Sequence, residues 1–243
     1  MPQSLRFDIF VFAHRESHWL GSCLFSVNCA IDFAISQGMS FTKTIIARQP
    51  DHATRTWLKE KAEGWSMVVL DDASLAGARS VACDLSDGAD LVAFVDGSDL
   101  IGEAWFCQAA RALGQSTGIC RPQALMAFGQ DIFSPEGYEF ILQPEQPPTE
   151  PTRLHGNPYP SGFVATGDVL KAVKWPQKHE PFGWGQEDWW WNCLTIENGI
   201  PQHIVPEVAH YRRTSVRSDQ VDKALRPGPV RGSGKTRPAR GLR

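Results

Sequence analysis

Residues 91–100 read LVAFVDGSDL, an apolar run that passes straight into two carboxylates, Asp96 and Asp99, separated by Gly97 and Ser98. Such a run bounded by Asp, Gly and Ser is how a buried strand meets a turn, because Asp and Ser bond nearby backbone and Gly accepts positive φ. A second reading gives the carboxylates chemistry. A strand buried on both faces fixes its C-terminal edge, and acids just beyond it can grip a divalent cation whose other ligands are substrate phosphates. The stretch alone leaves both readings open.

The residues upstream supply the context. Segments 7–13 (FDIFVFA), 41–47 (FTKTIIA), 67–70 (MVVL) and 91–95 (LVAFV) read as strands, and 19–37, 53–63, 76–86 and 103–113 as helices. Gly38 is placed to end the first helix. Strand and helix alternate through the first hundred residues. This predicts an α/β fold with a central, mostly parallel sheet flanked by helices, a Rossmann-like architecture. Ligands of such sheets bind beyond the carboxyl ends of the strands, where Asp96 and Asp99 fall. Neither a G-x-G-x-x-G fingerprint nor a Walker loop follows the first strand.

The chain has 243 residues, 42% of them hydrophobic and 21% charged, enough for one sizeable core. A formal net charge of -3 offers no global attraction to nucleic acid, which is not expected as a partner. Basic residues concentrate after Arg212, where Gly and Pro also rise. The six cysteines form no C-x-x-C pair and read as reduced core residues. The apolar run at the amino terminus is too short for a signal peptide, and no segment reads as the roughly 20 apolar residues needed to span a bilayer. The expected compartment is the cytoplasm.

Beyond residue 113 the alternation weakens. The segment 144–162, PEQPPTEPTRLHGNPYPSG, is too rich in proline for a helix and reads as a long functional loop. A strand over 163–166 and a short helix over 168–173 follow. The cluster FGWGQEDWWW (182–191) has glycines for a sharp turn, with Glu187 and Asp188 where a helix begins and Asn198-Gly199 where it stops. Acids there can simply complement the helix dipole. Consecutive helical residues point about 100° apart, so Trp189, Trp190 and Trp191 cannot share one core face. Indoles beside carboxylates suit sugars. His210 is a structural residue or a metal ligand, and Arg79, in GARS (77–80), is a surface charge or an anion contact at a helix start.

Taken in order, these segments resemble the family 2 glycosyltransferases, enzymes of GT-A fold that move a sugar from a nucleotide-sugar donor to an acceptor hydroxyl. FDIFVFAHRE (7–16) is similar to the family's opening strand and DHATRTWL (51–58), led by Asp51, to the segment after its second strand. GARS is similar to its A-R-N segment, FVDGSD (94–99) to its D-x-D region, GWGQED (183–188) to its G-W-G-x-E-D segment and His210 to its late metal-binding histidine. The resemblance spans about residues 5–215.

It implies an inverting, metal-dependent transfer within one GT-A domain: a donor half at 1–110, an acceptor half at 111–215 and a flexible basic tail at 216–243. Asp96, Asp99 and His210 would hold Mn²⁺ or Mg²⁺, with Asp96 alternatively on the ribose. Arg79, Arg213 and Asp51 would contact the donor. Asp188 would be the general base, Glu187 would orient the acceptor, and Trp184 with Trp189 would form its stacking wall. The donor is expected to be a nucleotide-diphosphate sugar, a UDP-sugar foremost, transferring a hexosyl or N-acetylhexosaminyl group. The acceptor is expected to be a saccharide or a lipid-linked acceptor, in polysaccharide or glycoconjugate synthesis. The tail would solubilise the chain or touch an anionic membrane at its inner face.

Two positions depart from the family pattern. The second strand ends in Ala47-Arg48-Gln49-Pro50 rather than acids, and the second acid of the D-x-D region is either replaced by Ser98 or displaced to Asp99. Two alternatives therefore stand beside transfer: a nucleotidyltransferase acting on a sugar phosphate, and a carbohydrate- or nucleotide-sugar-binding protein without turnover.

Overall fold

The computed structural model describes residues 5–86, 88–114, 116–129, 139–147, 149, 157, 159, 162–176 and 187–214. Trp184 with its neighbours 183–186, most of the proline-rich segment and the tail 216–243 lie outside the described residues.

The first half is a run of β1 (Arg6–Ala13), α1 (Ser17–Ser36), β2 (Ser40–Arg48), α2 (His52–Lys61), β3 (Ser66–Leu70), α3 (Leu75–Leu85) and β4 (Leu91–Asp96). β1 lies between β2 and β4, parallel to both, and β3 extends the parallel array beyond β2. The chain thus builds outward from β1 through β2 to β3, then returns to add β4 on the other side. That reversal opens a crevice at the carboxyl ends of β1 and β4, the switch point where open α/β sheets bind ligands.

The two-residue period of β1 explains why helices cover both faces. Phe7, Ile9 and Val11 pack beneath α1, whose Leu20, Leu24, Val27 and Ile31 recur at helical spacing. Phe10 and Phe12 face the other way, with Val92, Phe94 and the α3 residues Ala78 and Ala82. Each fully buried large apolar side chain contributes roughly 1.5–3 kcal/mol. Contrary to the sequence expectation, α1 is long and apolar enough to cross a membrane by length and composition. Its apolar face is packed into the sheet's core, as an amphipathic core helix requires.

The second half adds β5 (Leu100–Ile101), α4 (Trp105–Leu113), β6 (Ile119–Gly129), β7 (Glu139–Leu142), β8 (Phe163–Thr166), α5 (Gly167–Ala172), α6 (Glu187–Glu197) and β9 (Gln202–Thr214). It continues the same sheet, which has nine strands among the described residues, in the order β3-β2-β1-β4-β8-β6-β9-β5 with β7 beside β6. β8 joins antiparallel to β4 and β6, while β9 runs parallel to β6. β5, β6, β7 and β9 were not foreseen from the sequence. β6 and β9 shift register after Pro122, which cannot donate to the ladder, and Glu207 on β9 sits at a positive φ of 60°. β9 nonetheless brings its far end back to the mouth of the crevice.

Candidate active site

The DGSD stretch after β4 forms a tight turn in which the Asp99 N–H donates to the Asp96 carbonyl at 3.0 Å. Gly97 is required by close approach: its N–H donates to the Phe12 carbonyl at 2.8 Å, and a Cβ would lie 2.9 Å from that same oxygen. The turn sends the two acids to different places. Asp96 stays at the crevice with its side chain 33% exposed, whereas Asp99 is buried against β9.

Asp99 Oδ2 lies 2.9 Å from His210 Nε2, and its other oxygen accepts the Arg213 backbone N–H at 3.1 Å and the Ser98 hydroxyl at 3.3 Å. His210 is fully buried, and its Nδ1 has no partner among the described residues. Gly162, at φ +67°, lies so close that a Cβ would come within 2.4 Å of that nitrogen. A separation of 2.9 Å serves a direct hydrogen bond. It also equals the roughly 2.9 Å between neighbouring ligands of an octahedral Mg²⁺, bound at about 2.0–2.1 Å. Among the described residues no group of three or more His, Cys, Asp or Glu side chains could hold an ion. A cation held by Asp99 and His210 would have to draw its remaining ligands from elsewhere, as Mg²⁺ sites do from water and substrate phosphates.

Arg79, on α3, is buried beneath the crevice. Its Nη2 lies 3.4 Å from Asp96 Oδ1, and its Nη1 pairs with Asp188 Oδ1. The guanidinium also lies over the Trp175 ring at 4.8 Å and the Phe12 ring at 5.6 Å. Burial pulls its pKa down, and Asp96 followed by Glu187 pulls it back up. Arg79 thus ties an acid at a strand end to an acid at a helix start. Glu187 and Asp188 occupy the first turn of α6, as the sequence predicted, where the helix dipole favours their negative charge.

Arg79, Asp96 and Asp188 line one cleft together with Arg121, Asn192, Tyr159, Trp175, Phe94, Phe163 and Gly162. The three tryptophans of α6 diverge as their spacing required. Trp191 is buried, stacked on Trp175 at 4.7 Å between ring centroids; Trp190 is exposed; Trp189 is half-buried. The described aromatic residues at the cleft include Trp175 and Tyr159, neither of which the sequence singled out. Isolated aromatic residues carry no periodic signal, and only the folded chain brings them to the wall.

Asp51 is the N-cap of α2, its carboxylate accepting the Thr54 N–H at 2.8 Å, and these contacts with Thr54 hold its pKa below the usual value. The Arg213 guanidinium lies between the Trp19 and Phe128 rings, at 4.0 and 4.4 Å, with Nε donating to the Ser98 carbonyl at 3.3 Å. Its backbone and side chain therefore brace the DGSD turn. Near the ends of β1 and β2, burial lowers the His14 pKa and raises that of Glu16, while His14 Nδ1 lies 2.9 Å from the Arg48 carbonyl.

No family model matches the chain, and no curated protein matches its sequence. The fold is that of a GT-A-like glycosyltransferase: a central mixed sheet flanked by helices, with the crevice at its strand ends. The solved structures that carry the likeness include three of S. aureus TarS. TarS 1–349 superposes with a TM-score of 0.59 at 15% identity, over 86% of this chain and 60% of that one. The same protein in complex with UDP-GlcNAc gives 0.62 at 14% identity, over 86% and 59%. In complex with UDP it gives 0.60 at 15%, over 87% and 61%. The chain thus spans about three fifths of those TarS chains, and at this identity the likeness is one of fold.

Proposed function

We propose that the protein is a glycosyltransferase that moves a hexosyl or N-acetylhexosaminyl group from a nucleotide-diphosphate sugar, a UDP-sugar foremost, to an acceptor hydroxyl with inversion. The observation that carries this reading is the Arg79 guanidinium placed between Asp96 and Asp188 in a cleft at the carboxyl ends of the parallel strands. The TarS complexes with UDP-GlcNAc and UDP support the choice of donor.

In this reading Arg79 neutralises the donor diphosphate. Asp99 and His210 would hold Mn²⁺ or Mg²⁺, with Asp96 on the ribose or at the ion. The cation, when bound, stabilises the charge that develops on the departing nucleoside diphosphate. Arg213 acts by bracing Asp99. An acceptor hydroxyl has a pKa far above neutrality, so its attack needs a base on the face opposite the leaving group. Asp188 accepts that proton, and Glu187 beside it orients the acceptor. Arg79 pairs with Asp188 until the diphosphate competes for the guanidinium.

The test is nucleoside diphosphate release from a panel of UDP- and GDP-sugars with Mn²⁺ and added acceptors, comparing the parent with Asp188→Asn. General-base catalysis contributes about 10²–10⁴-fold, so the variant should bind donor and lose turnover by at least about 100-fold. Undiminished turnover in Asp188→Asn would remove it as the base. Pyrophosphate release instead would mark nucleotidyl transfer, and binding without any turnover would mark a binding protein.

A further inference from the structure

The cleft contains a second buried cation. Arg121, on β6, is 1% exposed, yet no carboxylate pairs with it among the described residues. Its contacts are neutral: Nη2 donates to Asn192 Oδ1 at 2.6 Å and Nε to Gln202 Oε1 at 3.4 Å. The guanidinium lies 4.9 Å from the Tyr159 ring centroid and 5.3 Å from that of Phe163. Arg79, equally buried in the same cleft, has two acids. Burial without such compensation pushes the Arg121 pKa down to about 9. A buried charge is costly unless paired, so the wall is built for an anion that the described protein does not supply.

A second observation points the same way. The Tyr159 hydroxyl is buried beside Arg121 and has no hydrogen-bond partner among the described residues. Both groups can donate, and both line the cleft. Both residues are tied to α6, the helix that carries Asp188. Asn192, which accepts from Arg121, lies four residues after Asp188 and on the same helix face, about 5–6 Å away. Asn192 also donates to Asn157 Oδ1 at 2.8 Å and to the Tyr159 carbonyl at 2.7 Å, which fixes Tyr159 against α6.

We infer that the acceptor carries an oxyanion, a carboxylate or a phosphate ester, received by Arg121 and the Tyr159 hydroxyl in the cleft that Asp188 also lines. The inference rests on the transferase reading for the word acceptor, but the anion subsite itself is testable without donor.

The experiment titrates the protein, with and without UDP and Mn²⁺, with D-glucuronate, glucose 6-phosphate and glucose, following tryptophan fluorescence. At least one anionic sugar should bind about tenfold or more tightly than glucose, the discrimination expected of a charge-assisted pair. The identity of the preferred sugar separates carboxylate from phosphate. Arg121→Gln should erase the preference while melting cooperatively. If that variant fails to fold, Arg121→Lys should keep part of the preference, and Tyr159→Phe should reduce it with the cation in place. Equal affinity for all three sugars, no binding of either anion, or a preference unchanged in these variants would overturn the inference. Anion preference without any response to UDP would instead sink the donor reading and leave the subsite standing.

Discussion

Gly162 and His210 offer a test of the geometry that buries the proposed metal site. Alanine at position 162 would have to adopt a φ near +67°, and its Cβ would come within 2.4 Å of His210 Nδ1. The left-handed backbone costs about 1–2 kcal/mol for a residue with a Cβ. Forcing the carbon against a buried ring that is held to Asp99 adds about 1–3 kcal/mol of overpacking. Together these give roughly 2–5 kcal/mol, and at about 2–4 °C per kcal/mol for a chain of this size the melting temperature should fall by about 4–20 °C. The two contributions separate in a double-mutant cycle. In a His210→Ala background the steric part vanishes and the backbone part remains, so the cycle should return a coupling of about 1–3 kcal/mol. The assay is calorimetric or circular-dichroism melting of the four proteins. A Gly162→Ala variant that melts within about 2 °C of the parent, or a coupling near zero, would refute the packing of His210 against Gly162.

Other substitutions probe the turn, the cap and the anion contact. Gly97→Ala places a Cβ 2.9 Å from the Phe12 carbonyl oxygen, a backbone atom that cannot yield cheaply, so urea titration should show a loss of about 1–3 kcal/mol. Asp51→Ala should cost about 1 kcal/mol at neutral pH through the lost cap. Because the folded-state pKa of Asp51 is depressed, the cap's contribution is present above the unfolded value of about 3.9 and is lost as pH falls through the lower folded value; parent and variant melting curves should converge in acid. Arg79→Gln should weaken UDP binding about tenfold or more by calorimetric titration, and unchanged affinity would remove Arg79 from the diphosphate.

The parallel half of the fold is legible in the sequence because its strands are buried on both faces. FDIFVFA and LVAFV are apolar throughout, and the helices between them carry core residues at helical spacing. The added strands are hidden for identifiable reasons. β6 contains Pro122, which normally argues against an internal strand, and β9 mixes charged residues with Pro206. The structure absorbs both: between the pairs Pro122–Val205 and Ala124–Ala209 the β9 strand carries two more residues than β6, and the Gln123 side chain accepts the Glu207 N–H at 3.0 Å. Local pattern cannot register such a bulge.

The site divides along a similar line. Asp96, Glu187 and Asp188 sit at element ends, where turn and capping chemistry mark them. Asp99 and His210, separated by 111 positions, could be associated only through family resemblance, and the structure puts them in contact. Arg121 and Tyr159 had no signal. A single basic residue between Cys120 and Pro122 looks like any strand residue, and its importance lies in burial with no carboxylate partner among the described residues, which only the folded chain reveals.

The most direct test of the central claim is the effect of nucleoside diphosphates on thermal stability with and without Mn²⁺, in the parent and in His210→Ala. A ligand specific to the native state raises stability in proportion to RT ln(1 + [L]/Kd), so UDP at about 100 times its Kd should add about 2.7 kcal/mol. UDP should raise the melting temperature only with the ion present, and the rise should be lost in the variant. No rise with any nucleoside diphosphate, with or without Mn²⁺, would contradict it.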